Sequence, residues 1–187
     1  MYLLAISKGQ GLEPTHWARV LASGVDGFMI REPQLEAGAL LAAALWVQDQ
    51  APGLELWLNG RLDVAMAARF GCHAPESYPP VPAGLLPLSR PIHQPDQIPA
   101  RSDARQLILS PIFPVPGKGE PWGPERLFDC LNTLPPTSAR ILALGGLTPD
   151  RLPALRHPRL DGIALIRALW DAPDPAQMVA SLRTAWT

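Results

Sequence analysis

Short apolar runs recur about every 20 to 25 residues, separated by stretches with helical spacing. The runs are YLLAI (2–6), GFMIR (27–31), ELWLN (55–59), LPLSRPI (86–92), QLILSPI (106–112), RILALGG (140–146) and GIALIRA (162–168). Several are continuous rather than alternating, as parallel strands covered on both faces require. Helices are predicted over 15–23 with Thr15 as cap, and over 35–50 and 61–70. Three more, over 124–134, 149–155 and 175–186, each open with Pro at or near the first helical position, where its missing N–H costs little.

The segment 71–86 is the irregular unit. A short strand fits around Cys72 and His73, but Pro75, Pro79, Pro80 and Pro82 oppose a helix after it. Eight strand–helix units close most naturally as a compact α/β TIM barrel of the (β/α)8 kind, with the fourth helix shortened or missing. An open doubly wound sheet is the alternative. The barrel is favoured by its polar residues: Arg31, Asn59, His73, His93, Ser110, Lys118 and Gly145–Gly146 fall at or just after strand C-terminal ends, which a barrel brings to one face. The reading is a single domain over 1–187.

Composition narrows the function. The chain has 187 residues, 47% of them hydrophobic and 18% charged, with net charge −1, enough apolar material for one core and no basic excess for nucleic acid. No apolar run reaches the length of a membrane span, and the opening MYLLAISKGQG does not read as a signal peptide. Cys72 and Cys130 lie in no metal-like spacing, so the expectation is a reduced, cytoplasmic protein. Arg occurs fourteen times but Lys only at Lys8 and Lys118, and Lys118 sits between two glycines.

Candidate chemistry follows from position. Gly145 and Gly146 after the seventh strand, with Ile166 and Arg167 after the eighth, form the place where barrels cradle phosphate on backbone N–H groups; the same glycines also suit a tight turn. Lys118 is a cation for phosphate or carboxylate, or a solvated loop lysine. The Arg31 fork serves an anion, or pairs with Glu32. Asn59 both donates and accepts, while Arg61 and Asp63 fit the opening of the next helix. His93 and His73 are candidates for proton transfer near neutral pH, against the structural role lone histidines often play. His16 and His157 lie in surface segments and have no such claim. Zinc-protease, serine-hydrolase and P-loop patterns are absent from the sequence.

Taken in order, LWLNGRLDVA, GCHAPES, SRPIHQ, LILSPIFPVPGK, ILALGGLTPDRL and DGIALIRAL resemble the thiamine phosphate synthase superfamily, which includes thiazole tautomerases of the TenI type. The resemblance runs from Tyr2 to about Leu182 and implies a TIM barrel. Synthases couple a pyrimidine pyrophosphate to a thiazole phosphate with Mg²⁺. Where they carry Asn-Asp-Arg, this chain reads Asn59-Gly60-Arg61. Their His-Leu-Gly-Gln-x-Asp corresponds to His73-Ala74-Pro75-Glu76-Ser77-Tyr78, and their Gln-x-Arg-x-Lys to Met29-Ile30-Arg31-Glu32-Pro33. Both metal carboxylates and one lysine of the synthase pattern are therefore replaced.

Asn-Gly-Arg is similar to the tautomerase branch, so the resemblance implies a metal-independent thiazole tautomerase. In that reading His93 shuttles the proton of a carboxythiazole phosphate. Arg31, Asn59, His73 and Lys118 bind substrate, and Gly145, Gly146, Ile166 and Arg167 frame the phosphate. The alternatives are a divergent thiamine phosphate synthase, which alone would bring in Mg²⁺, and a non-catalytic phosphate-binding or regulatory barrel. The implied partners are a phosphorylated thiazole or thiamine phosphate, with no nucleic acid and no membrane, and a homo-oligomeric state.

Overall fold

The computed structural model describes residues 1–82, 84–101 and 103–187. Eight parallel strands form a closed barrel in sequential order: β1 (Tyr2–Ile6), β2 (Gly27–Ile30), β3 (Glu55–Asn59), β4 (Gly71–His73), β5 (Leu88–Ile92), β6 (Gln106–Leu109), β7 (Arg140–Leu144) and β8 (Gly162–Leu165). The β1–β8 ladder, from Tyr2 opposite Gly162 to Ala5 opposite Leu165, closes the ring. The α-helices are α1 (Pro14–Leu21), α2 (Ala37–Gln50), α3 (Leu62–Ala68), α4 (Gly123–Thr133), α5 (Arg167–Trp170) and α6 (Pro175–Trp186).

The eight predicted strands form, most of them one to three residues shorter at an end. Residues 110–112, 145–146 and 166–168 leave the ladders and become the rim instead. Helix α1 is capped by Glu13, whose carboxylate accepts the His16 N–H at 2.6 Å, and not by Thr15. Pro14, fixed at the first helical position, sets that start. No helix follows β4 among the described residues, as the prolines imply. Residues 75–81 instead cover a cavity of about 250 Å³ lined by Tyr78, Arg90 and Arg101. Two further units depart from the expected barrel. Among its described residues the β5–β6 connection holds only the 3₁₀ turns Pro95–Gln97 and Pro99–Arg101, and the stretch predicted as a helix over 149–155 is a 3₁₀ turn, Leu152–Leu155. Pro153, in the interior of that stretch, removes a donor an α-helix would need there.

Strand alternation produces two cores. Outward residues such as Leu3, Phe28, Leu58, Leu107, Ile141 and Ile163 pack beneath the helices. Inward residues Leu4, Ile6, Met29, Trp57, Ile108, Leu142 and Ala164 fill the barrel. Below this apolar layer, at the N-terminal ends of the strands, lies a polar plug. Glu55 Oε2 accepts from Tyr2 Oη and from Arg140 Nη1, both at 2.6 Å, and the Arg140 guanidinium stacks 3.6 Å over the Tyr2 ring. Burial and the Glu55 carboxylate hold the Tyr2 phenol well above its usual range. Bulky inward side chains demand glycine opposite: a Cβ on Gly71 would lie 2.4 Å from the Trp57 ring, and one on Gly27 would lie 2.1 Å from Tyr2 Oη.

A second polar chain runs up through the barrel. Gln106 Nε2 donates to Ser89 Oγ at 3.1 Å, and Ser89 Oγ contacts His73 Nδ1 at 2.8 Å. Ser89 Oγ accepts from Gln106, and His73 Nδ1 is the one acceptor its hydroxyl proton meets among the described residues; donation there puts the imidazole proton on Nε2. Burial, reinforced by the Arg90 charge, lowers the His73 pKa to about 3.

Two expectations follow from the interior. Gly71→Ala pushes a methyl into the Trp57 ring and is expected to cost about 1–3 kcal/mol in urea unfolding. Gly53→Ala, where a Cβ meets nothing within 4 Å, stays near wild type. An unfolded histidine titrates near pH 6.5, so below that the unfolded chain takes up a proton that folded His73 refuses. Stability should therefore fall from about pH 6.5 downward, by about 2 kcal/mol from this group at about pH 5. Urea midpoints of wild type and His73→Gln across that window check it: the substitution flattens the slope, and an unchanged slope would clear His73 of the effect.

Candidate active site

The same alternation that fills the barrel aims the rim. Two residues beyond each inward core position, Met29, Trp57 and Ile108 give way to Arg31, Asn59 and Ser110, while Ile166 follows Ala164 and His93 follows β5. These five stand at the C-terminal ends of five different strands, together with Gly145 and Gly146 after β7. The predicted site residues on strand ends are thus brought to one mouth, as the fold dictates.

Arg31 is held by its backbone, whose N–H donates to the buried hydroxyl of Ser7 at 2.8 Å. Its guanidinium has no hydrogen-bond or ion-pair partner among the described residues, and the side chain is exposed. The neighbouring Glu32 does not pair with it. Its buried carboxylate accepts from the Gly9 N–H at 3.1 Å, the Gly11 N–H at 2.6 Å and Gln34 Nε2 at 2.9 Å, stapling the loop after β1 to the end of β2. The anion-directed reading of Arg31 fits this geometry and the Arg–Glu pair does not. Arg61 is different: its fork grips Asp63 through Nε at 2.9 Å and Nη2 at 2.7 Å, which holds the Asp63 carboxyl down to about 2. That pair opens α3, as its position suggested.

The two histidines at the mouth carry opposite tautomers. His93 Nδ1 lies 2.9 Å from the Ser110 carbonyl oxygen, a pure acceptor, so Nδ1 carries the proton and a neutral His93 offers the Nε2 lone pair. Gln97 Oε1 accepts from the His93 N–H at 2.8 Å, and Trp122 Nε1 donates to its carbonyl at 3.1 Å, fixing the residue from both sides. The ring is half-buried. His73 lies deeper, 9% exposed, with Nδ1 engaged by Ser89. It lines the floor below the rim.

Gly145 and Gly146 have φ of +109° and +64°. A Cβ on Gly145 would lie 3.0 Å from the Pro111 backbone, and one on Gly146 would lie 2.8 Å from the Phe113 Cβ. The pair therefore exists partly to let the loop after β6 cross over β7, where the Ile112 and Phe113 N–H groups donate to Leu144 and Gly145 carbonyls. What remains free is backbone: the N–H groups of Gly146, Arg167 and Ala168 have no acceptor among the described residues. They sit on adjacent strand ends and suit an anion. The side chains of Arg167 and Lys118 are exposed and unpaired among the described residues.

Sequence reasoning passed over three contributors. Ser7 anchors Arg31, and the rule that strand ends carry function would have found it. Lys8 reaches Asp171 at 2.6 Å, tying the end of β1 to the residue after α5. Trp122 buttresses His93 from a loop where only contact reveals it. His16 and His157 stay outside the site: His16 packs edge-on against Trp170, and His157 meets Asn132. Cys72 and Cys130 are buried free thiols, that of Cys72 pushed up to about 11 by burial.

The resemblance to synthases implies Mg²⁺, and the residues present do not fit it. Among the described residues there is no group of three His, Cys, Asp or Glu side chains that would hold a metal. Gly60 occupies one expected carboxylate position, in a left-handed turn at φ +70°. Tyr78 occupies the other, and its hydroxyl accepts from the Leu62 N–H at 3.4 Å at the start of α3. Both positions have passed to structural work.

No protein-family profile matches the chain. Among curated proteins it is 34% identical to the thiamine-phosphate synthase of Albidiferax ferrireducens, across 89% of this chain and 80% of that one. It is 31% identical to the thiamine-phosphate synthase of Vibrio parahaemolyticus, across 85% and 83%. Among solved structures, thiamine phosphate pyrophosphorylase from Pyrococcus furiosus superposes with a TM-score of 0.85 at 19% identity, covering 99% of this chain and 95% of that one, and supports the barrel. With identity above 30% carried along most of both chains, this chain belongs to the thiamine-phosphate synthase family.

Proposed function

We propose that this chain acts in thiamine biosynthesis, joining an aminopyrimidine pyrophosphate to a thiazole phosphate at the barrel mouth. The observation that carries the reading is the near full-length relationship to proteins named for that product, 34% identical across 89% of the chain. The free N–H groups of Gly146, Arg167 and Ala168 suit the thiazole phosphate, and the unpaired Arg31 suits the second substrate. In the coupling, the bond from the pyrimidine methylene to the pyrophosphate oxygen breaks, and its electron pair leaves on pyrophosphate. The thiazole nitrogen lone pair then makes the new carbon–nitrogen bond. No proton moves, so the mouth has only to align the two rings and stabilise the departing anion.

A second reading is favoured by one observation, the free Nε2 of His93. A neutral imidazole fixed by the Ser110 carbonyl is built to take a proton, which the coupling does not need and the tautomerisation of a carboxythiazole phosphate does. That reading makes the enzyme an isomerase of the TenI type, working on a substrate with the same phosphate.

The two reactions separate on His93. Coupling, followed as thiamine phosphate formation by NMR, should survive His93→Gln within a few-fold and fall about 100-fold in Arg31→Gln, the scale of losing one preorganised charge stabiliser. Isomerisation of the carboxythiazole phosphate would instead fall about 100-fold or more in His93→Gln. A wild-type protein that isomerises but never couples overturns the synthase reading in favour of the tautomerase. Ligand binding without either turnover would leave a binding barrel.

A further inference from the structure

The donor set at the mouth is unusual in its sign. Several carboxylates near the rim are already engaged within the protein. Glu32 is buried on two backbone N–H groups and Gln34. Asp63 lies in the Arg61 fork, and Asp171 holds Lys8. Glu76 accepts from Gln97 and pairs with Arg101 at 3.6 Å. Pulling any of these onto a metal would abandon a cation or a buried N–H group. Three cations are in the opposite condition. Arg31 after β2, Lys118 in the loop after β6 and Arg167 after β8 have side chains with no partner among the described residues.

We infer that the chain binds pyrophosphate without a divalent cation, through the unpaired side chains of Arg31 and Lys118. A guanidinium fork offers paired donors to phosphoryl oxygens, and an ammonium on a flexible stem adds a point charge over them. Together they supply the two positive charges that a hard divalent ion would bring through a ligand cluster that the described residues do not form. The Arg31 fork is positioned for the task by the Ser7 hydroxyl beneath its backbone, and Lys118 is carried by a loop whose base is fixed by Trp122 and Gly123 N–H groups on the Pro111 and Ile112 carbonyls. Pyrophosphate is the expected anion because of the coupling reading, on which this inference rests for its ligand.

The test is titration calorimetry with inorganic pyrophosphate, once in excess EDTA and once in excess Mg²⁺. Binding is expected in EDTA. Magnesium, which complexes the probe, should leave the affinity unchanged or weaken it. Arg31→Gln should weaken binding by about tenfold or more and Lys118→Gln by several-fold, with Arg31→Lys recovering part of the loss. Both side chains are exposed, and thermal melts establish that the variants fold. Binding that appears only with Mg²⁺ overturns the inference, and so does an absence of binding in both buffers. The coupling assay run alongside keeps the readings apart. Coupling that requires Mg²⁺ removes metal-free binding and leaves the synthase function. Pyrophosphate bound in EDTA by a protein that never couples does the reverse.

Discussion

The whole molecule depends on the ladder between its first and last strands. Without the pairing of Tyr2–Ala5 with Gly162–Leu165 the sheet would have two open edges, and the strand ends would lie in a row. The ladder forms because β8 begins with glycine. A Cβ at Gly162 would stand 1.9 Å from the Tyr2 carbonyl oxygen, so no other residue permits the approach. Tyr2 then serves twice, as the backbone of the closing strand and as a side chain of the plug with Glu55 and Arg140. That plug ties the first, third and seventh strands at the lower end. Stability is concentrated there, and the upper end is left free for chemistry.

The strands were legible in the sequence because parallel strands buried on both faces need continuous apolar runs, and few other segments here have them. Their upper ends were not, since Ser110–Ile112 and Gly145–Gly146 continue the apolar composition while their backbone has turned into the rim. The lost fourth helix was legible from its prolines. The missing helix between β5 and β6 was not: residues 94–105 hold prolines and polar residues that mark no helix, yet a unit count supplies one by analogy with its neighbours. Strand-end placement foretold which residues meet at the barrel mouth. Its pairings lay beyond the sequence, because adjacency says nothing of aim. Arg31 and Glu32 are neighbours in the chain, and successive residues of an extended segment face opposite ways. One therefore meets the mouth, and the other turns under the loop after β1.

His73 and His93 make the same point about chemistry. In the sequence they are equivalent, each a histidine closing or following a strand. Their partners differ by one property: Ser89 can donate, and the Ser110 carbonyl cannot. The first ring is thereby fixed as a buried neutral donor and the second as a half-buried acceptor. Of the two, only His93 combines access with a free lone pair.

Charge then limits which reaction that is. Among the described residues no three carboxylate, imidazole or thiol side chains gather into a cage for a hard cation, while Arg31 and Lys118 stand exposed and unpaired, which suits phosphoryl groups. A coupling that expels pyrophosphate needs positive charge where negative charge builds on the departing anion, and guanidinium and ammonium groups are suited to supply it. A tautomerisation needs the same phosphate and carboxylate recognition plus a base. The site therefore holds the common requirement of both reactions in its cations and backbone N–H groups. The difference between them rests on whether the His93 lone pair meets a substrate carbon bearing a removable proton.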